Sequence, residues 1–568
     1  MIKYEVKRNI KEKYFFNIKI TYSSKGKKEC IFRLPSWRPG RYELQNFAKN
    51  VRDFIANDVE GNTLSYLKTN KDTWIVNTES VDEISINYSY YARQMDAGGT
   101  WVDDSQWYIN WITCAMLADE SFNETHQVEL DIPSSWQVAG SLEKVNSNTL
   151  KATSYAELVD SPIIASDNLT HLKYDCNNST FHIWFQGNVN IDKPKVIDAF
   201  SKFTKSQIEL FGAYPAKEYH FLYQILPYPN YHGVEHAKST VITLGPDYAF
   251  NTEKVYNDFL GVSSHELFHA WNITRLRPSE MVPYQYFNEN YFPTGFIAEG
   301  ITTYYGDYIL KRSGVFDAKQ YIKELNIIIK RHFHNNGRLH ATLTDSSMEL
   351  WLDGYDKGIP GRKVSIYVKG ALAALILDLQ LRKDSKGEKS LDDVMRLMWN
   401  KHEKSGYTIE NYKEAVSEIA GKDMSSYFEM FIEGKLLLED TLTKLFTSFG
   451  FNFQKITSTS FAEKLYGLKA SYVQEKLIVS DLAEDSPAIE LLETGDEIIA
   501  INNVKPAKNF EECFQFSENV DLYFFRNSQL KHAELKKTED TFFDTYEISL
   551  NDEADMPSVN LRKGWFGE

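Results

Sequence analysis

The sequence is poor in features that hold a chain together without a core or carry it across a membrane. Only four cysteines occur in 568 residues: Cys30, Cys114, Cys176 and Cys513, far apart and with no CxxC pair. That spacing argues against a disulfide framework and a thiolate zinc site, and predicts reduced thiols in core positions. Long apolar runs are missing too. The longest, Ala371 to Leu377, meets Asp378 far short of the roughly 20 residues a membrane-spanning helix needs, so no membrane span is expected. The opening MIKYEVKRNIKEKY has no apolar segment of a signal peptide, and the chain as it stands is expected to be cytoplasmic. Positive charge is also short: 63 Lys and Arg face 79 Asp and Glu, a formal net charge of −16. With no dense basic stripe interleaved with aromatics, this excludes nucleic acid as the expected partner.

What is present is apolar and aromatic. Hydrophobic residues make up 42%, with 34 Tyr, 35 Phe and 11 Trp, a composition suited to broad sheets and an aromatic-lined cleft. The length predicts roughly three or four domains. Tyr14, Phe16, Ile18, Ile20 and Tyr22 alternate with polar neighbours, as do Ile84, Ile86, Tyr88 and Tyr90, and Val128, Leu130 and Ile132. This period of two predicts an all-β domain over residues 1–168. Near residue 190 the period changes: Val196, Ile197, Phe200, Phe203 and Ile208 recur at helical spacing, and strands are expected at 219–223 and 241–244. Helices then dominate to about 450, including one toward Trp271 and one from Phe296 to Arg312 ended by Gly314. The class is multidomain α+β, with a central domain over 169–452 and a C-terminal unit of short strands over 453–568.

Chemistry concentrates in Ser264-His265-Glu266-Leu267-Phe268-His269-Ala270-Trp271-Asn272. On a helix, positions i and i+4 share a face about 5 to 6 Å apart, so His265 and His269 can converge on one zinc ion. Glu266, one step round the helix, is placed to take a proton from a water there, as a general base. A third ligand is offered by Glu299 in Phe296-Ile297-Ala298-Glu299-Gly300-Ile301, whose apolar neighbours turn this face inward. A His2Glu set leaves the open position that catalytic zinc requires. Asn272 is a candidate to orient a ligand. His332-Phe333-His334 also has a metal-binding form, but its polar, Asn- and Gly-containing surroundings predict a surface position.

HELFHAWN, AEGITTYY and Tyr367-Val368-Lys369-Gly370 together resemble the M61 glycyl aminopeptidase family, gluzincins related to aminopeptidase N. Leu34-Pro35-Ser36-Trp37-Arg38-Pro39-Gly40-Arg41-Tyr42 is similar to that family's N-terminal β-domain signature. The resemblance implies a thermolysin-like catalytic domain with a helical C-terminal part, Glu299 as the third zinc ligand, and hydrolysis of the first peptide bond of substrates beginning with glycine or alanine. Gly233-Val234-Glu235-His236 is similar to the segment that lines the substrate in such enzymes. It implies that Gly233 and Glu235 bind substrate, the carboxylate pairing with a free α-ammonium. His232 departs from the pattern, standing where the family usually has a glycine. Tyr367 is implied as the oxyanion's hydrogen-bond donor.

Tyr466-Gly467-Leu468, Ser486-Pro487-Ala488 and Thr494-Gly495-Asp496-Glu497-Ile498-Ile499-Ala500-Ile501-Asn502 resemble a PDZ-like domain, whose partner is a peptide C-terminus or an internal segment filling the groove. The expected partners are therefore peptides, and the expected cofactor is Zn2+. The sequence also leaves room for a zinc endopeptidase, a non-peptide hydrolase, or a peptide-binding scaffold with a vestigial site.

Overall fold

The computed structural model describes residues 1–79, 81–356, 358–515 and 517–568. The alternating N-terminal segments build an eight-stranded sheet in which Phe15–Ser23 lies beside Glu83–Tyr91, antiparallel. The inward residues of the two strands meet directly: Phe16 opposite Tyr90, Ile18 opposite Tyr88, Ile20 opposite Ile86 and Tyr22 opposite Ile84. All eight are buried, as cross-strand pairs on one face of a covered sheet should be. Tyr14 falls outside the strand and is exposed. Two four-stranded sheets complete this unit around one core that runs from Ile2 to Ala165 and takes in Tyr286 from farther along the chain.

One stretch leaves that unit for the next. After the strand Glu29–Arg33 the chain carries Trp37 and Tyr42 into a separate apolar cluster with Ile273, Phe292, Ala298, Trp351 and Ile366. The Trp37 indole N–H donates to the carbonyl of Gln285 at 2.7 Å, which fixes the crossing.

The second unit is a five-stranded sheet, in the order Leu169–Cys176, Ser179–Gln186, Glu218–Ile225, Ser239–Gly245, Asn230–Glu235. Its central pairings are parallel and its last strand is an antiparallel edge. The helix Lys193–Phe211, capped by Asp192, buries Val196, Phe200, Phe203 and Ile208 in the same core as Phe221 and Tyr223 of that sheet. Helices follow to residue 448, among them Val368–Asp384, which holds the apolar run at 371–377 wholly inside the protein. Among the described residues no helix is long and apolar enough to cross a membrane.

The third unit is a five-stranded sheet spanning residues 468–536 with its own core around Leu468, Val479, Ile498, Leu522 and Phe524. The chain then returns: Thr545–Leu550 pairs with Phe451–Ile456, and the helix Met556–Phe566 sinks Trp565 and Phe566 into the second unit's core. This return corrects the surface position expected for His332-Phe333-His334. His332 and Phe333 are buried: the returning strand covers Phe333, whose ring lies 4.7 Å from that of Tyr546, while His332 is buried near Arg338 and Lys369. All four cysteines are free; Cys30 and Cys114 are buried, and Cys176 and Cys513 are half-buried.

Candidate active site

The helix Glu253–Phe268 starts at Thr252, whose hydroxyl accepts the Val255 N–H, and lies on the sheet. Two tyrosines of one strand hold it there: the Tyr223 hydroxyl meets Ser263 Oγ at 2.6 Å, and Tyr219 O–H donates to the Glu266 carbonyl at 3.3 Å. His265 sits in the last turn and His269 just beyond it, so their imidazoles converge, Nε2 to Nε2 3.1 Å. Gly306 on the neighbouring helix permits the close packing there, since a Cβ on it would lie 3.3 Å from His265 Cβ.

Glu299 arrives on a π-helical turn, Phe296–Ile301, that leads into the α-helix Thr302–Arg312, where the sequence predicted one continuous helix. Such turns widen the helix and redirect a side chain, and they recur at functional sites. The Asn272 amide stabilises this one by donating to the carbonyls of Ile297 at 2.8 Å and Ala298 at 3.1 Å and to Thr302 Oγ1 at 3.0 Å. The backbone carbonyl of Asn272 faces His269 Nδ1 at 3.0 Å, so that nitrogen carries a proton and Nε2 is the one left for a cation to engage. Asn272 thus orients two of the three residues.

Glu299 Oε2 lies 3.4 Å from His269 Nε2 and 4.0 Å from His265 Nε2. Its other oxygen accepts the phenol O–H of Tyr42 at 2.9 Å, a contact reaching over from the N-terminal unit. Two imidazole nitrogens and one carboxylate oxygen thus face one point, at separations suited to a small divalent cation. In the metal-free chain burial would lower the His269 imidazole, but Glu299 and Glu235 overturn that and raise it to about 10. A cation here answers the same excess of negative charge, so the residues fit the zinc predicted for them.

Glu266 is buried beside this point, with Oε2 lacking any hydrogen-bond partner. Burial pushes its carboxyl up to about 8, a shift that His269 opposes and Glu235 and Glu299 reinforce. The edge strand Asn230–Glu235 runs alongside. A Cβ on Gly233 would stand 2.1 Å from Glu266 Oε1, so only glycine lets this strand pass so near. His232 points to the opposite face, where its Nδ1 accepts the Ala97 N–H at 3.3 Å, and it leaves the approach at Gly233 intact.

Glu235 shares Gly233's face. One oxygen of its carboxylate, one of Glu266's and one imidazole nitrogen of His269 lie within 4.8 Å of one another, and Glu235 Oε1 is buried without a partner. Burial raises its pKa. Gly40, at φ +78°, cradles it, since a Cβ there would come within 2.4 Å of Glu235 Oε2. A cavity of about 270 Å3 adjoins Glu235, walled by Arg38, Pro39, Asp160, His236 and Tyr284.

Tyr367 precedes the helix Val368–Asp384 and packs beside Tyr42, Ala298 and Ile366. Gly370 and Gly300 let this helix and the Glu299 turn touch backbone to backbone, a Cβ on Gly300 falling 2.6 Å from Gly370 Cα. Burial and then the Glu299 carboxylate hold the phenol well above its usual pKa, so it remains a donor. Its hydroxyl lies 3.3 Å from that of Tyr355.

Three residues of this neighbourhood were not found from sequence. Tyr42 and Arg38 lie inside the signature Leu34–Tyr42, which marked a family and no role. Tyr355 carried no signal. Arg38 is buried with its Nε unpartnered, close enough for its charge to act on Glu266.

Residues 3–167 match the Peptidase M61 N-terminal domain, and residues 258–373 match the M61 glycyl aminopeptidase. No curated protein matches the chain in sequence. Among solved structures, the crystal structure of an aminopeptidase N family protein from Idiomarina loihiensis is similar over 100% of both chains, at 25% identity and a TM-score of 0.90. An M1 zinc metallopeptidase from Deinococcus radiodurans, in a mutant form bound to a Tyr-Ser-Ala substrate, covers 77% of this chain and 93% of its own, at 14% identity and a TM-score of 0.48. The second family match spans His265, Glu266, His269, Glu299 and Tyr367, the first spans Tyr42, and on these two matches the chain belongs to the M61 glycyl aminopeptidase family.

Proposed function

We propose that this protein is a zinc aminopeptidase that removes a small N-terminal residue, glycine or alanine, from peptides. The observation that carries the reading is the grouping of Glu235 with Glu266 and His269, which sets a buried carboxylate with one oxygen unpartnered beside the proposed base and metal ligands. His265, His269 and Glu299 would hold zinc, which supplies Lewis acidity toward the scissile carbonyl and an acidified water. Glu235 pairs with the α-ammonium of the substrate, which limits cleavage to the bond one residue in. Glu266 takes the proton of the attacking water and passes it to the departing amine. Tyr367 donates its O–H to the oxyanion as charge develops. The preference for small residues rests on the family alone.

The central domain is proposed to be thermolysin-like on its HExxH helix and sheet. The third unit is proposed to be PDZ-like, supported by Gly467 at φ +69° opening the strand Leu468–Val473, with a peptide C-terminus as its ligand.

The deciding measurement is kcat/KM on matched glycyl or alanyl peptides with free and acetylated amines, for wild type and Glu235→Gln. Acetylation should nearly abolish turnover by wild type, and Glu235→Gln should raise KM for the free peptide while leaving zinc content unchanged. Equal cleavage of both peptides by wild type would make the enzyme an endopeptidase. Undiminished discrimination in Glu235→Gln would move the anchor elsewhere.

A further inference from the structure

A row of imidazoles crosses the central sheet on the face turned away from the HExxH helix. Strands Ser179–Gln186 and Glu218–Ile225 are parallel neighbours, and His182 stands directly opposite His220 in their register. Successive residues alternate faces, so Glu218, two positions before His220, shares its side. Tyr219 and Tyr223 of the same strand point the other way, to the catalytic helix. One ligating atom from each of His182, His220 and Glu218 lies within 4.8 Å of the others. His220 Nε2 and Glu218 Oε2 are 3.8 Å apart, and the His182 and His220 rings stack at 4.5 Å.

Two details favour a cation over a plain polar cluster. His182 Nε2 is buried and has no hydrogen-bond partner, a cost the fold bears unless something binds that lone pair. Its Nδ1 lies 3.0 Å from His171 Nε2, and His171 is itself stacked on Trp184 at 3.7 Å. With Nδ1–H donated to His171, the lone pair of His182 is left free on Nε2, the arrangement by which outer residues prepare metal-binding imidazoles.

We propose that His182, His220 and Glu218 form a second site for a divalent transition-metal ion of the zinc class, separate from the HExxH centre. Nitrogen and carboxylate donors in this ratio suit zinc, and water completes the shell on the solvent side, where the Glu218 side chain is 63% exposed. Binding through His220 Nε2 moves that ring's proton to Nδ1 and displaces the 3.3 Å contact from the Trp184 indole N–H. Trp184 therefore reports the event, and the ion clips together two strands of the sheet on which the catalytic helix rests.

The experiment counts zinc. Metal-stripped protein is reloaded with Zn2+, desalted and analysed by mass spectrometry. Wild type should retain about two zinc ions per chain and His265→Ala about one, while His182→Gln and Glu218→Gln should each lose the second ion and keep the first. Glu218 is a surface residue, so Glu218→Gln tests the site without threatening the fold. In the His265→Ala background, Zn2+ should still raise the melting temperature and change Trp184 emission, read as the difference from Trp184→Phe; adding His182→Gln should remove both responses. Equal uptake by wild type, His182→Gln and Glu218→Gln overturns the proposal. Failure of the catalytic-zinc reading looks different: His265→Ala would then match wild type while His182→Gln still lost an ion.

Discussion

The phenol of Tyr42 donates a hydrogen bond of 2.9 Å to Glu299, a residue 257 positions later and in another structural unit. One oxygen of Glu299 is thereby occupied and the other is left to face His269 and His265. The N-terminal β unit completes the proposed metal centre as well as covering it.

Tyr42→Phe removes that bond and nothing else of the side chain's shape. Zinc affinity should fall by roughly 10- to 100-fold, the usual effect of losing a group that orients a ligand. Competition with a chelator measures it, with circular dichroism as the folding control. Unchanged affinity would show that packing alone positions Glu299.

Removing a ligand and removing the base should separate cleanly. His265→Ala and His269→Ala should abolish zinc binding at this centre and Glu299→Ala should strongly reduce it, since each opens a further coordination position. Glu266→Gln should keep the metal and lose kcat by roughly 10² to 10⁴, the range for a positioned general base. Turnover near wild type in Glu266→Gln would exclude the assigned mechanism.

Gly233→Ala tests the near contact of the edge strand with the base. Its Cβ would fall 2.1 Å from Glu266 Oε1, so either the strand or the carboxylate must shift. A displacement of about 1 Å at a reacting group costs on the order of 10² in rate, so kcat should drop by about that factor with zinc retained. Wild-type kcat in the alanine variant would mean that the strand moves freely away from Glu266.

Tyr367→Phe should lower kcat by roughly 10² to 10³ with a smaller change in KM, because an oxyanion donor acts mainly in the transition state. Tyr355→Phe, which removes only the neighbouring hydroxyl at 3.3 Å, should cost less. A larger loss in Tyr355→Phe would transfer the donor role to that residue.

His265, His269, Glu266 and the Glu299 segment were legible in the sequence because their geometry is local. Four residues along a helix place two imidazoles on one face, and an apolar surround turns a glutamate inward, whatever the rest of the chain does. The alternation at 16–22 and 84–90 was equally readable, since a sheet with one covered face demands it. Tyr42, Arg38 and Tyr355 were not, because their places depend on how separate units dock, and no period or spacing encodes that. The π-helical turn at Glu299 escaped for the same reason: its carbonyls are satisfied by Asn272, from a different segment. The returning strand Thr545–Leu550 covered Phe333, which local composition had placed outside. The row of His171, His182 and His220 exists only because register aligns three strands whose histidines are scattered in sequence. Local periodicity therefore determined the candidate ligands, the candidate base and the elements that carry them. Long-range register and domain packing decided what orients those candidate ligands, which backbone approaches Glu266, and which side chains form the proposed second site.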